Sequence, residues 1–159
     1  MASRFVFTPL SAEFPSSNFA PLTLVNRRPV LAFDATTNET AQWTAIAPQE
    51  LTGALTAIVT YMMASATSGD VDIDVSLEAV TDGDATDLDA GDSFDTVNST
   101  DNTTVPGTAG HIDQISVTLT NADSIAAGDY FRLKVTRDAA SDTAAGDLYL
   151  LAVELRDAA

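Results

Sequence analysis

Cysteine is absent from the 159 residues, so neither a disulfide framework nor a thiolate metal site is available. Basic side chains are scarce: seven Lys and Arg face twenty-three Asp and Glu, for a net charge of −16 and a pI near 4.1. That balance excludes direct binding to nucleic acid phosphates and to anionic lipid. No apolar run approaches the ~18 residues of a membrane-spanning helix. The opening stretch Met1 to Pro9 lacks the roughly 7–15-residue apolar core of a secretory leader, so any export is expected to use another route. A single histidine, His111, offers no obvious triad. No G-x-S-x-G, H-E-x-x-H, Walker or dinucleotide-binding pattern occurs. Enzyme action and a bound cofactor are not expected.

What is present suffices for one globular domain, since apolar residues make up 45% of the chain and mean hydropathy is +0.09. Charge divides the chain in two. Residues 1–29 carry Arg4, Arg27 and Arg28 against Glu13, net +2, and the remaining 130 residues carry net −18. The leading part also holds Phe5, Phe7, Phe14 and Phe19, spaced by Pro9, Pro15, Pro21 and Pro29. Four prolines so close together forbid a long helix or a central strand, so residues 1–29 read as an extended N-terminal arm. Burying its eight large apolar side chains would yield about 12–24 kcal/mol. Fixing its backbone costs about 30–60 kcal/mol. The arm therefore orders only on a surface that also supplies hydrogen bonds, either its own domain or a neighbouring chain.

From Val30 onward, short alternating runs are separated by Gly, Asp, Asn, Ser and Thr, the pattern of strands and turns. Val71, Ile73, Val75, Leu77 and Ala79 alternate with Asp72, Asp74, Ser76 and Glu78, giving one apolar and one largely acidic face. Ile115, Val117 and Leu119 repeat the scheme, as do Phe131, Leu133 and Val135. Tyr149, Leu151, Val153 and Leu155 form a fourth face, but Leu148, Leu150 and Ala152 make its reverse apolar too, as in a strand buried on both sides. Weaker strands are expected over 30–33, 42–45, 55–64 and 94–98. The run from Leu55 is long enough for a helix, yet Ile, Val, Thr and Tyr dominate it and Gly53 and Gly69 bracket it. About eight antiparallel strands predict an all-β jelly-roll sandwich over 30–159, with an immunoglobulin-like sandwich as the rival.

Ala126-Ala127-Gly128-Asp129 echoes Ala144-Ala145-Gly146-Asp147, and Ser68-Gly69-Asp70 is a partial third copy; Arg137-Asp138-Ala139-Ala140 echoes Arg156-Asp157-Ala158-Ala159. The first phrase reads as a recurring turn that starts a strand, with Gly at positive φ. Asp82, Asp84, Asp87, Asp89, Asp92 and Asp95 crowd one loop. Such carboxylates suit a hard cation, but the spacing fails the EF-hand pattern, so a solvated acidic loop competes with a calcium site. Trp43 and Tyr61 would stack a sugar if exposed, though an aromatic in a strand belongs more often to the core. The Asn38, Asn98 and Asn102 triplets match the glycosylation pattern and are discounted for want of a secretory leader.

The stretch from Arg27 through Thr40, with Trp43, Pro48, the hairpin around Ser68-Gly69-Asp70-Val71, Val105-Pro106-Gly107 and the closing Gly146-Asp147 strand, resembles small jelly-roll structural proteins of tailed bacteriophages. The resemblance runs over most of the chain and rests on turn and strand phrases without reactive groups. It implies a non-enzymatic capsid decoration (cement) protein on the virion surface, made in the host cytoplasm, commonly trimeric, with its arm lying across neighbours. Phe5, Phe7, Phe14, Phe19, Arg27 and Arg28 are then the expected interface residues, toward the major capsid protein or other copies. Repulsion between such acidic copies makes apolar or arm-mediated contacts necessary. A tail or fibre component and a carbohydrate-binding module are the alternatives.

Overall fold

A computed structural model of the chain describes residues 2–51 and 54–157; Gly53, Ala158 and Ala159 lie outside the described residues. Among the described residues ten strands run in order: β1 (Ala2–Phe7), β2 (Leu22–Val25), β3 (Arg28–Phe33), β4 (Glu39–Ile46), β5 (Leu55–Met63), β6 (Asp70–Val80), β7 (Asn98–Thr104), β8 (Asp113–Leu119), β9 (Tyr130–Arg137) and β10 (Leu148–Asp157). Eight of them, β3 to β10, make two interleaved antiparallel sheets ordered β3-β10-β5-β8 and β4-β9-β6-β7. This interleaving is the jelly roll, the expected all-β sandwich. β2 adds an outer strand beside β3, and β1 pairs with β10.

Side chains alternate as the sequence pattern requires. Ile73, Val75 and Leu77 of β6, Phe131, Leu133 and Val135 of β9, and Ile115 and Val117 of β8 are buried between the sheets. The 55–63 run is a strand: Leu55, Ala57, Val59, Tyr61 and Met63 point into the core, where Tyr61 Oη donates to Asp113 at 3.1 Å. Burial, then the Asp113 carboxylate, raises that phenol's pKa. Trp43 and Tyr61 are both core residues, 1% and 0% exposed. The strand expected over 94–98 is displaced. β7 starts at Asn98, whose buried amide donates to Val75 O and Asn121 O, and residues 92–94 instead lie over the outer face of β6 and β9. There Glu78 accepts from Ser93 N at 2.7 Å and Arg132 at 3.3 Å, and Lys134 lies 4.1 Å from the Phe94 ring centroid. The acidic side of β6 is thus largely tied down by hydrogen bonds rather than solvated.

The leading segment is not a separate arm. β1 pairs with β10 from Ala2↔Asp157 to Phe7↔Val153. Residues 13 and 19 bridge to the edge of β4, and β2 returns to the first sheet. Four prolines are accommodated because Pro9, Pro15 and Pro21 fall between strands. Pro29 pairs with Leu24 at a position of β3 that β10 does not reach, since β10 pairs only Leu31 to Phe33. The domain boundary expected at residue 29 therefore falls inside β3, within one packed unit.

The echoed turns behave as expected. Gly69, Gly128 and Gly146 have φ of +93°, +89° and +117°, one or two residues before β6, β9 and β10. At Gly69 a Cβ would also lie 2.8 Å from Thr143 O, so the close approach of two loops requires glycine there. Arg137 of the second echo is wholly buried. Its guanidinium donates to Asp142 at 2.6 Å and to the carbonyls of Phe33, Gly146 and Ala144 at 2.9–3.1 Å, which shapes the 138–147 loop.

Candidate functional site

The expected interface residues separate into two groups. Phe5 and Phe7 are taken up by the sandwich: their rings stack at 5.6 Å, Phe5 lies edge-on to Phe131 at 5.3 Å, and Phe7 lies 6.0 Å from Trp43. They are not available to another subunit, because β1 completes the β10 edge and buries them where the two sheets meet. Phe14 and Phe19 remain 44% and 39% exposed and pack on each other at 5.3 Å. Arg27 and Arg28 are exposed at the β2–β3 turn, where Asn26 and Arg27 both have positive φ, the two-residue type I′ hairpin.

His111 is exposed on the loop before β8. Asp82, Asp84, Asp87 and Asp89 are exposed, Asp92 pairs with Arg132, and Asp95 accepts from Asp123 N and Thr96 N. No group of three or more His, Asp or Glu among the described residues is arranged to hold a metal ion. Asn98 is buried and engaged on both sides, so its triplet cannot accept a glycan.

A groove of about 460 Å³ opens on the outer face of the β1-containing sheet. Val25, Asn26 and Arg28 of the β2–β3 hairpin form one wall, and Met62 and Ala64 at the end of β5 with Gly110 and Ile112 form the other. Tyr149 and Leu151 of β10 lie between them. Tyr149 pairs with Met62 on one side and Ala32 on the other, which puts these side chains on one face, opposite buried Leu148 and Leu150. A register shift between Leu150 and Ala152 lets Leu151 project outward as well and returns Val153 and Leu155 to the core. At the same point β10 exchanges β3 for β1 as its neighbour. The Gly110 amide donates to Met63 O at 3.0 Å, fastening the far wall to β5.

The expected Tyr149–Leu155 face is therefore split by the bulge, and the groove residues were not identifiable from alternation. The available signal was an apolar strand with no polar phase, which leaves the outward set undetermined. Chemically, the groove combines one aromatic side chain, an aliphatic and thioether floor, and the Asn26 and Arg28 donors at its rim. Its lining holds no carboxylate, so the paired acids of glycoside hydrolysis are not assembled there. Farther along the same face, Gln114 Nε2 donates to Thr60 Oγ1 at 3.1 Å and Arg156 pairs with Glu154.

No family model and no curated protein matches the chain. Its fold is similar to that of a family 35 carbohydrate-binding module from an environmental isolate: TM-score 0.55, 11% identity, 98% of each chain covered. It is also similar to part of an arabinose-bound α-L-arabinofuranosidase: TM-score 0.52, 17% identity, 96% of this chain and 24% of that one. The chain thus spans about a quarter of that enzyme's length. At such identities the likeness establishes a shared β-sandwich.

Proposed function

We propose that the chain is a non-catalytic carbohydrate-binding sandwich whose ligand lies in the Tyr149 groove. The observation that carries this reading is the conjunction, on one concave sheet face, of an outward tyrosine, an apolar floor and the polar Asn26 and Arg28 rim. Sugars present C–H faces that pack on aromatic and aliphatic surface and hydroxyls that need directional donors and acceptors. The likeness in fold to a carbohydrate-binding module supports the reading. Glycan-array screening followed by calorimetry tests it. A hit should weaken at least tenfold in Tyr149→Ala and in Arg28→Ala without a change in Tm, whereas equal binding by both variants would rule out the groove.

A second reading is a decoration protein seated on the major capsid protein of a tailed bacteriophage and carried on the virion. It is favoured by the exposed Phe14, Phe19, Leu22 and Leu24, apolar groups suited to a protein surface. Purified chain that co-sediments with capsids at a fixed stoichiometry would support it, and failure to add to capsids would remove it.

A further inference from the structure

The outermost strand of the larger sheet is bare. Among the described residues β2 bonds only to β3, in the register Leu22↔Leu31, Thr23↔Val30, Leu24↔Pro29 and Val25↔Arg28. Val25 and Arg28 close the two-residue hairpin as a hydrogen-bonded pair, so Thr23 also faces β3 while the N–H and C=O of Leu22 and Leu24 point away from it. Pro29, which has no N–H to give, occupies the corresponding non-bonded position. The free edge reads Leu-Thr-Leu-Val and lacks the usual protection: no lysine, proline, bulge or inward charge interrupts it. Leu22 and Leu24 are 45% and 70% exposed. The Phe14–Phe19 pair belongs to the same leading segment.

We infer that this edge pairs with β2 of a second copy of the chain. Electrostatics selects the occupant. β2 carries no charged side chain and Arg27 and Arg28 stand at its turn in a molecule of net charge −16, so two copies repel each other least across this edge. Antiparallel pairing centred on Thr23, with Leu22 of each copy opposite Leu24 of the other, satisfies the Leu22 and Leu24 backbone groups of both copies. It also brings Arg27 of each copy toward the partner's Phe19. The interface is isologous and closes at two copies, in place of the threefold assembly implied by the phage resemblance. The two-fold axis of such a pair is perpendicular to the sheet, so both grooves open on the same side. The pairing stands whatever the groove binds; bivalent glycan capture through it rests on the proposed function.

Sedimentation equilibrium of the full chain near 50 µM in 0.15 M and 1 M salt tests the pairing, together with amide exchange at Leu22 and Leu24. The expected species has twice the 16.6 kDa chain mass, and the dimer fraction rises with salt as repulsion is screened. The Leu22 and Leu24 amides should be protected at high concentration and exchange freely on dilution. Leu24→Lys should give a monomer with unchanged Tm and exposed amides, whereas Leu10→Lys, at a residue 71% exposed in the 3₁₀ turn Pro9–Ser11, should remain dimeric. A monomeric or trimeric parent, unprotected Leu22 and Leu24 amides in the parent, or a dimer that survives Leu24→Lys would each overturn the inference. Loss of glycan binding with the dimer intact would remove the groove reading alone.

Discussion

Replacing Phe7 with alanine distinguishes a leader that belongs to the sandwich from one that merely lies on it. Phe7 is 7% exposed and is surrounded by Phe5, Trp43 and Phe131 at centroid distances of 5.6–6.4 Å. Truncating a buried phenylalanine costs about 3–5 kcal/mol, transfer and cavity terms together. Against the ~5–15 kcal/mol total of a domain, that is a large fraction. With a Tm change of about 2–4 °C per kcal/mol for chains of this size, Tm should fall by about 6–20 °C. Trp43 makes urea unfolding easy to follow: it is the sole tryptophan, 1% exposed, and its indole donates to Thr8 O at 3.0 Å, directly after Phe7. Phe14→Ala, at an exposed ring, should cost less than about 0.5 kcal/mol. A Phe7→Ala protein within about 1 kcal/mol of the parent would refute the integration of β1 into the fold.

Three further outcomes follow from the same structure. Arg137→Leu leaves the Asp142 carboxylate buried and three carbonyls unpaired, and should lower stability by about 3–5 kcal/mol in denaturant titration; a loss under about 1 kcal/mol would mean that the 138–147 loop does not depend on it. Arg27→Gly, at φ +66°, relieves left-handed strain at the second turn position and should raise Tm by a few degrees, while a drop would show that the turn relies on the arginine side chain. Asp34 is held below the usual carboxylate range by Thr36, then Thr37, and Asp138 by Ser141 and Asn38. Their contributions are present above the ordinary aspartate value near ~3.9 and fade as pH falls through the lowered values. Carboxyl NMR titration should find both midpoints below ~3.9, and midpoints at or above it would contradict the turn geometry.

Much of the fold was legible because strand alternation is a local property. The inward faces of β6, β8 and β9 follow directly from Val71 to Leu77, Ile115 to Leu119 and Phe131 to Val135, and the turn glycines at 69, 128 and 146 declare themselves by phrase. The leader was harder to read. Its energetics required a surface that supplies hydrogen bonds, but whether that surface was its own domain or another chain depends on the unpaired edge of β10, which no residue in 1–29 reveals. Alternation marked the acidic face of β6 but not its partners, because the loop that bonds Glu78 and the strand that bonds Asp72 lie 15 to 30 positions away.

Composition and periodicity alone determined an acidic, disulfide-free, all-β chain with a mildly basic, aromatic leader, since these depend only on residue types and on neighbours one or two positions apart. Tertiary structure decided which phenylalanines are buried, which phase of β10 faces outward, and that Tyr149 meets Arg28 in a groove. Those outcomes depend on cross-strand register and on one bulge. Both are set by how two sheets pack rather than by any single segment.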